Sequence, residues 1–237
     1  MVIFKFLSFL NLLNKLLSLF YPLNCCCCES SLCRGETHFC ISCEANFSEN
    51  IEPLNNKSSL AQLFWGKANV TFTGAPFNFL KQENLQQIIH EFKYGGNSNL
   101  AKYMGGYLGM KIKGVSELAD VDCVSFVPMH PKKIKKRGYN QAEELAIGVA
   151  GKLNVENQCV LKRSVESVSQ TEKGVYERYE NMDANFTALY GFEGKHILLV
   201  DDVLTTGATL IACVNAIQEK YDVKVSIVCL AFRAVER

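Results

Sequence analysis

The sequence predicts an α/β protein: a parallel sheet flanked by helices, with a small cysteine-rich module ahead of it. Three observations carry that expectation. Along most of the chain, short strand-like apolar runs alternate with helix-spaced repeats. One run, Ile197 to Val200, ends in Asp201 and Asp202 and then in a threonine–glycine loop that opens a helix. Two Cys-x2-Cys pairs, Cys25/Cys28 and Cys40/Cys43, stand near the start of the chain.

With 237 residues, 48% hydrophobic and 21% charged, the chain suits one ordinary α/β domain plus an appendage. A formal charge of +1 gives no global pull toward nucleic acid or membrane, so electrostatic partners must be read from local clusters such as Lys132 to Arg137. Seven of the eleven cysteines fall between Cys25 and Cys43. The rest, Cys123, Cys159, Cys213 and Cys229, lie in or beside apolar runs, as reduced core thiols do. A secreted disulfide framework belongs to shorter chains that cannot build a core, so the usage points to the cytoplasm.

Residues 1–23 carry Phe6, Phe9, Leu10, Leu13, Leu17 and Phe20 at helical spacing before Pro22, which predicts an amphipathic helix. Asn11, Asn14 and Lys15 interrupt the apolar run, so no transmembrane span is expected, and no small-residue cleavage site follows. A peripheral seat at the inner membrane is the alternative to a plain cytoplasmic place. Residues 24–47 form the cysteine module, 48–59 a polar connector, and 60–237 the main domain.

Within the main domain, residues 68–80 with Val70, Phe72, Phe77 and Phe79 read as a strand pair or bent hairpin. Leu85, Ile88, Ile89 and Phe92 trace one helix, and Leu100, Met104, Leu108 and Ile112 a second. Val121 to Pro128 suits a buried parallel strand, followed by a helix marked by Ala142, Leu145, Ala146, Val149, Ala150 and Leu153. Residues 162–185 are polar and read as a mobile excursion. A strand from His196 to Val200, a helix from Gly207 to Lys220 and a strand from Val223 to Phe232 complete the domain.

The segment from Ile197 to Thr209 carries the chemistry. Its apolar half buries a central strand, and Asp201 and Asp202 follow at the C-terminal edge, where open α/β sheets bind ligands. Paired carboxylates left buried would be costly, so they are expected to face a ligand: ribose hydroxyls, or a divalent cation through water. The loop Val203, Leu204, Thr205, Thr206, Gly207, Ala208 and Thr209 then enters a helix, whose free N–H groups cradle an anion such as phosphate. A simple helix cap is the plainer alternative, but it accounts for one Asp and one Thr rather than the string.

Lys132, Lys133, Lys135, Lys136 and Arg137 follow the strand 121–128 and leave the sheet on the same side, in what reads as a basic loop. Beside Tyr139 they suit a single-stranded nucleic-acid backbone and base stacking, with Lys132, Lys133, Arg137 and Tyr139 as the contacts; a solvated charge run is the bland reading. Cys25, Cys28, Cys40 and Cys43 have the spacing of a tetrahedral structural zinc site. Cys26, Cys27, Cys33 and His38 leave the ligand register open, and redox pairs or an iron–sulfur cluster are the other chemistries.

The paired Asp with Thr205-Thr-Gly-Ala-Thr209 resembles the phosphoribosyl-pyrophosphate signature of type I phosphoribosyltransferases. Taken in order with the Cys pairs, Phe92-Lys-Tyr-Gly95, Val127-Pro-Met-His-Pro131 and Arg137-Gly-Tyr-Asn-Gln-Ala142, it is similar to the ComF/GntX family of competence-associated proteins over nearly the whole length. The resemblance implies a zinc ribbon, a phosphoribosyltransferase-like sheet, and Mg²⁺ bound with phosphoribosyl pyrophosphate. It implies that Asp201 and Asp202 hold ribose hydroxyls, that Val203 to Thr209 hold the 5′-phosphate, and that Lys135, Lys136 and Arg137 meet pyrophosphate. It also puts Lys173 and Arg178 in a flexible loop over the reacting centre, where a cation stabilises departing pyrophosphate.

The function expected is therefore a phosphoribosyltransferase-like protein of DNA uptake in natural transformation, its acceptor unassigned. The alternative is a non-catalytic module that binds single-stranded DNA or a protein of the competence machinery. Nucleotide salvage is a third reading.

Overall fold

The computed structural model describes residues 23–47, 59–79, 83–163 and 186–233. The expected N-terminal helix, most of the connector, and Lys173 and Arg178 lie outside them. The chain divides into two compact units, Met1–Ser48 and Glu49–Arg237. Among the described residues, no helix is long and apolar enough to cross a membrane.

In the first unit, an isolated bridge between Asn24 and Ser31 closes a turn that Glu29 completes at φ 59°. A short helix, α1 (Ile41–Ala45), follows. Among the described residues of this unit, Phe39 and Phe47 are buried and meet edge to face at 4.8 Å. The Glu36 carboxylate accepts from the N–H groups of Cys33 at 2.5 Å and Ile41 at 2.8 Å, tying the turn to the helix.

The second unit begins with α2 (Ser59–Gln62) and two short strands, β1 (Phe72–Gly74) and β2 (Phe77–Asn78). Helices α3 (Glu83–Tyr94) and α4 (Ser98–Ile112) lead to β3 (Cys123–Phe126). Next come α5 (Pro131–Arg137), α6 (Gln141–Leu153), β4 (Glu156–Asn157), β5 (Leu161–Arg163) and β6 (Phe186–Ala188). Strand β7 (His196–Leu204), α7 (Ala208–Gln218) and β8 (Lys224–Phe232) finish the fold.

The sheet has six strands in the order β1, β8, β7, β3, β4, with β2 also on β8, and every pairing is parallel. Residues 68–80 therefore do not make the expected strand pair or hairpin. Both β1 and β2 lie along β8, and Ala75 and Pro76 interrupt what is in effect one edge strand, since proline offers the ladder no donor. The polar excursion is bracketed by β5 and β6, which pair antiparallel in a separate ribbon.

Alternation along the strands fixes the two faces. Ile197, Leu199, Val225, Ile227 and Cys229 join Leu210, Cys213, Val214 and Ile217 of α7 in one buried cluster. Leu198, Val200, Val228 and Leu230 are buried as well and belong to the opposite face, where α6 touches β3 and β7 and α4 touches β8. Helices α4 and α6 pack backbone to backbone. A Cβ on Gly105 would stand 2.1 Å from the Leu145 carbonyl oxygen, and one on Gly148 would stand 2.2 Å from that of Lys102.

The crossover through α6 carries the chain from β3 outward to β4, whereas the crossover through α7 carries it from β7 the other way to β8. The strand order therefore reverses between β3 and β7. A crevice opens at the C-terminal ends of that pair, the place where open α/β sheets take ligands.

Candidate functional site

Both acidic residues stand at this crevice, on the last part of β7. The Asp202 carboxylate pairs with the Lys93 ammonium at 2.8 Å, with side chains only 16% and 21% exposed. Asp201 accepts from the N–H of Asp202 at 2.9 Å. Burial, and then the neighbouring charge of Asp202, push the Asp201 carboxyl up to about 7, against the pull of that N–H and of Lys93.

Immediately beyond, Asp201 and Val203 through Leu210 line one cleft. Gly207 adopts φ 78°, a left-handed conformation that favours glycine, and from it α7 departs with no side-chain cap. The capping alternative keeps one long hydrogen bond, in which Thr206 Oγ1 accepts from the Ala208 N–H at 3.4 Å. Thr205, Thr206, Ala208 and Thr209 are exposed around the helix start, while the Phe64 ring lies behind Gly207, 3.6 Å from where a Cβ would be. A helix start opened by glycine, with exposed hydroxyls beside it, is chemically an anion cradle.

The basic segment differs from its expectation. It is a helix rather than a loop, because His130 Nδ1 accepts from the Lys132 N–H at 3.1 Å, Pro131 sets the first turn, and Gly138 at φ 88° ends it. Lys135, Lys136 and Arg137 fill the last turn, where cations suit the helix dipole. Lys132, Lys133, Lys135 and Lys136 are exposed, and Arg137 is half-buried.

Two stretches far apart in the sequence, residues 92–94 and 137–141, meet at the C-terminal turn of α3. The Phe92 carbonyl accepts from the Tyr139 hydroxyl, and also from Gln141 Nε2 at 3.5 Å. Arg137 donates to Gln141 Oε1 at 3.0 Å and lies over the Tyr94 ring. Tyr139, expected as a stacking surface for bases, is half-buried with its hydroxyl engaged. Tyr94 is the ring that faces outward, 60% exposed. Lys93 and Tyr94 enter the sequence reading only inside the string Phe92-Lys-Tyr-Gly95, with no role attached to either.

In the first unit, the sulfurs of Cys25, Cys28, Cys40 and Cys43 lie within 4.8 Å of one another, and Cys28 and Cys40 are 3.7 Å apart. Tetrahedral zinc at about 2.3 Å from each thiolate needs sulfurs about 3.8 Å apart, so the set fits. The N–H groups of Cys40 and Cys27 point at the Cys25 sulfur, at 3.3 and 3.5 Å, as they would toward a thiolate. Cys26, Cys27, Cys33 and His38 are not members of this group.

At the opposite edge of the sheet, Asp120, His196 and Ser226 stand in line, with His196 Nδ1 2.6 Å from Asp120 and Nε2 2.8 Å from Ser226. Ser226 is fully buried, so no substrate reaches it, and the line joins the starts of β7 and β8.

The family description "Phosphoribosyl transferase domain" matches residues 134–237, which include the carboxylate pair and the loop. The chain is similar to "Competence protein ComFC" of Streptococcus pneumoniae, 28% identical over 189 residues, covering 79% of this chain and 78% of that protein. It is 23% identical over 150 residues to "DNA utilization protein YhgH" of Escherichia coli (strain K12), covering 62% of this chain and 66%, just under two thirds, of that relative. Among solved structures, adenine phosphoribosyltransferase from Leishmania tarentolae matches with a TM-score of 0.36 at 14% identity, over 76% of this chain and 89% of that one. The matched domain and the competence-named relative, set beside a parallel sheet that ends in this acid pair and loop, support a similarity to ComF-type proteins of the phosphoribosyltransferase superfamily.

Proposed function

We propose that the main domain binds phosphoribosyl pyrophosphate with Mg²⁺ and serves DNA uptake as a competence-associated, phosphoribosyltransferase-like protein. One observation carries the reading. Helix α7 opens from Gly207 a short loop after the acid pair, at the C-terminal end of the central strand and at the reversal of strand order. The exposed Thr205, Thr206 and Thr209 with the helix start hold the 5′-phosphate, and Asp201 and Asp202 hold the ribose hydroxyls. Lys135, Lys136 and Arg137 supply the cations that pyrophosphate requires.

An oxygen-only pair of carboxylates suits Mg²⁺, which neutralises pyrophosphate charge when bound; Asp201 and Asp202 would hold it through water. Lys173 and Arg178, which the resemblance implies as further cations for pyrophosphate, lie outside the described residues. Zinc on the four cysteines would supply folding free energy to the described residues of the first unit, 23–47.

The test is calorimetric titration of the zinc-loaded protein with phosphoribosyl pyrophosphate and Mg²⁺, beside an Asp201→Asn/Asp202→Asn variant. Binding by the native protein that vanishes in the variant supports the reading. No binding by the native protein sinks it.

A second reading has its own support: four exposed lysines on α5, whose Arg137 lies over the exposed Tyr94 ring, suit single-stranded DNA. Replacing Lys132, Lys133, Lys135 and Lys136 by serine would then weaken oligonucleotide binding and flatten its salt dependence. An unchanged salt slope would remove α5 from that role.

A further inference from the structure

We propose that Lys93 is a positioning residue of the sugar-phosphate site, holding the Asp202 carboxylate so that the site selects 5-phosphorylated sugars with vicinal hydroxyls. The proposal rests on the reading of Asp201 and Asp202 as the ribose-binding pair, and adds to it a residue from outside the signature segment.

The ion pair of Lys93 with Asp202 is short, at 2.8 Å, and both side chains are largely withdrawn from water. A surface pair contributes little, but one shielded to this degree fixes the geometry of its partner, because leaving either charge alone would be costly. Asp201 already spends Oδ1 on the Asp202 N–H. The two carboxylates are thus turned by two separate restraints, one from the strand backbone and one from α3.

The charge balance points the same way. Two adjacent carboxylates repel an anionic sugar phosphate, and a cation set against Asp202 removes much of that repulsion before the ligand arrives. The helix turn that presents Lys93 is itself anchored. The preceding carbonyl, that of Phe92, accepts from Tyr139 and Gln141, and the following side chain, Tyr94, lies under Arg137. Lys93 is therefore held from the segment that also carries the candidate pyrophosphate cations, which sets the carboxylates and those cations in one frame.

The experiment compares full-length, zinc-loaded native protein with Lys93→Met and Lys93→Arg variants, titrated with ribose 5-phosphate and with its 2,3-dideoxy analogue. Thermal unfolding of each variant establishes that it folds. The native protein is expected to prefer ribose 5-phosphate, and Lys93→Met to lose about tenfold or more of that affinity while its weak affinity for the dideoxy analogue stays level. Lys93→Arg should restore most of the preference, since it returns the cation. If the native protein binds neither ligand, the ribose reading itself falls and takes the inference with it. If native protein and Lys93→Met show the same preference, the reading stands and Lys93 has no part in it. Equal losses for both ligands in a folded Lys93→Met would also overturn the proposal, by reducing Lys93 to a general structural contact.

Discussion

The guanidinium of Arg137 lies 5.2 Å from the centre of the Tyr94 ring and 3.5 Å from its hydroxyl, while donating to Gln141 at 3.0 Å. A planar cation laid on an aromatic face cannot be replaced by an ammonium of the same charge. Arg137→Lys is therefore expected to cost about 0.5–1 kcal/mol of stability from the lost stacking. It should also lower pyrophosphate affinity several-fold although the net charge is unchanged. Urea unfolding and pyrophosphate titration check the two effects; a variant with native affinity would show that charge alone matters there.

Asn140 joins the crevice to the helix behind it. Buried between β3 and α6, it donates from Nδ2 to the Val127 carbonyl at 3.0 Å and caps α6 by accepting the Ala142 N–H at 3.1 Å. Asn140→Ala removes the cap and strands a carbonyl, so a loss of about 2 kcal/mol is expected. Asn140→Asp keeps the cap but sets a carboxylate against the Val127 carbonyl, and should recover none of the lost donor. The shift in urea midpoint for the two variants measures this, and equal stability of Asn140→Ala and native protein would contradict it.

The run from Ile197 to Thr209 was legible because its strand, acid pair, loop and helix start are contiguous, and each residue type has a local physical reason to be where it is. The helices from Leu85 to Phe92 and from Leu100 to Ile112 were legible for a similar reason, since burial at helical spacing leaves its period in the chain. Lys93 was not, because its meaning comes from Asp202, which only the fold brings near. The segment from Pro131 to Arg137 was read by charge alone as a loop, although Pro131 and Gly138 are the usual start and stop of a helix. Phe72 and Phe77 suggested a hairpin because alternation shows a strand but not its partner, and both lie beside β8.

The cysteine cluster makes a prediction that separates ligands from bystanders. Cys40→Ser should abolish retained zinc and unfold residues 23–47, because among these described residues the buried aromatic contact is that of Phe39 with Phe47. Cys33→Ser should keep the metal, since that thiol is exposed and outside the cluster. Metal content by atomic emission after dialysis reads both outcomes, and zinc loss in Cys33→Ser would reopen the ligand register.

Stability should depend on pH through Asp201. Its folded-state carboxyl is raised from 3.8 to about 7, by burial first and the charge of Asp202 second, so the folded chain holds that proton more tightly than the unfolded chain. The contribution is fully present below the unfolded value and is lost as pH rises through about 7. Asp120 acts in the opposite sense and in another window. Its carboxyl is lowered to about 2, by Lys224 first and then His196, so its contribution is present above 3.8 and is lost as pH falls toward about 2. Asp201→Asn removes the first effect and leaves the second. Relative to native protein, the variant should gain stability at about pH 8 compared with about pH 5, measured as the shift in urea midpoint. A difference between the two proteins that is the same at both pH values would mean that the Asp201 carboxyl is not raised in the folded chain.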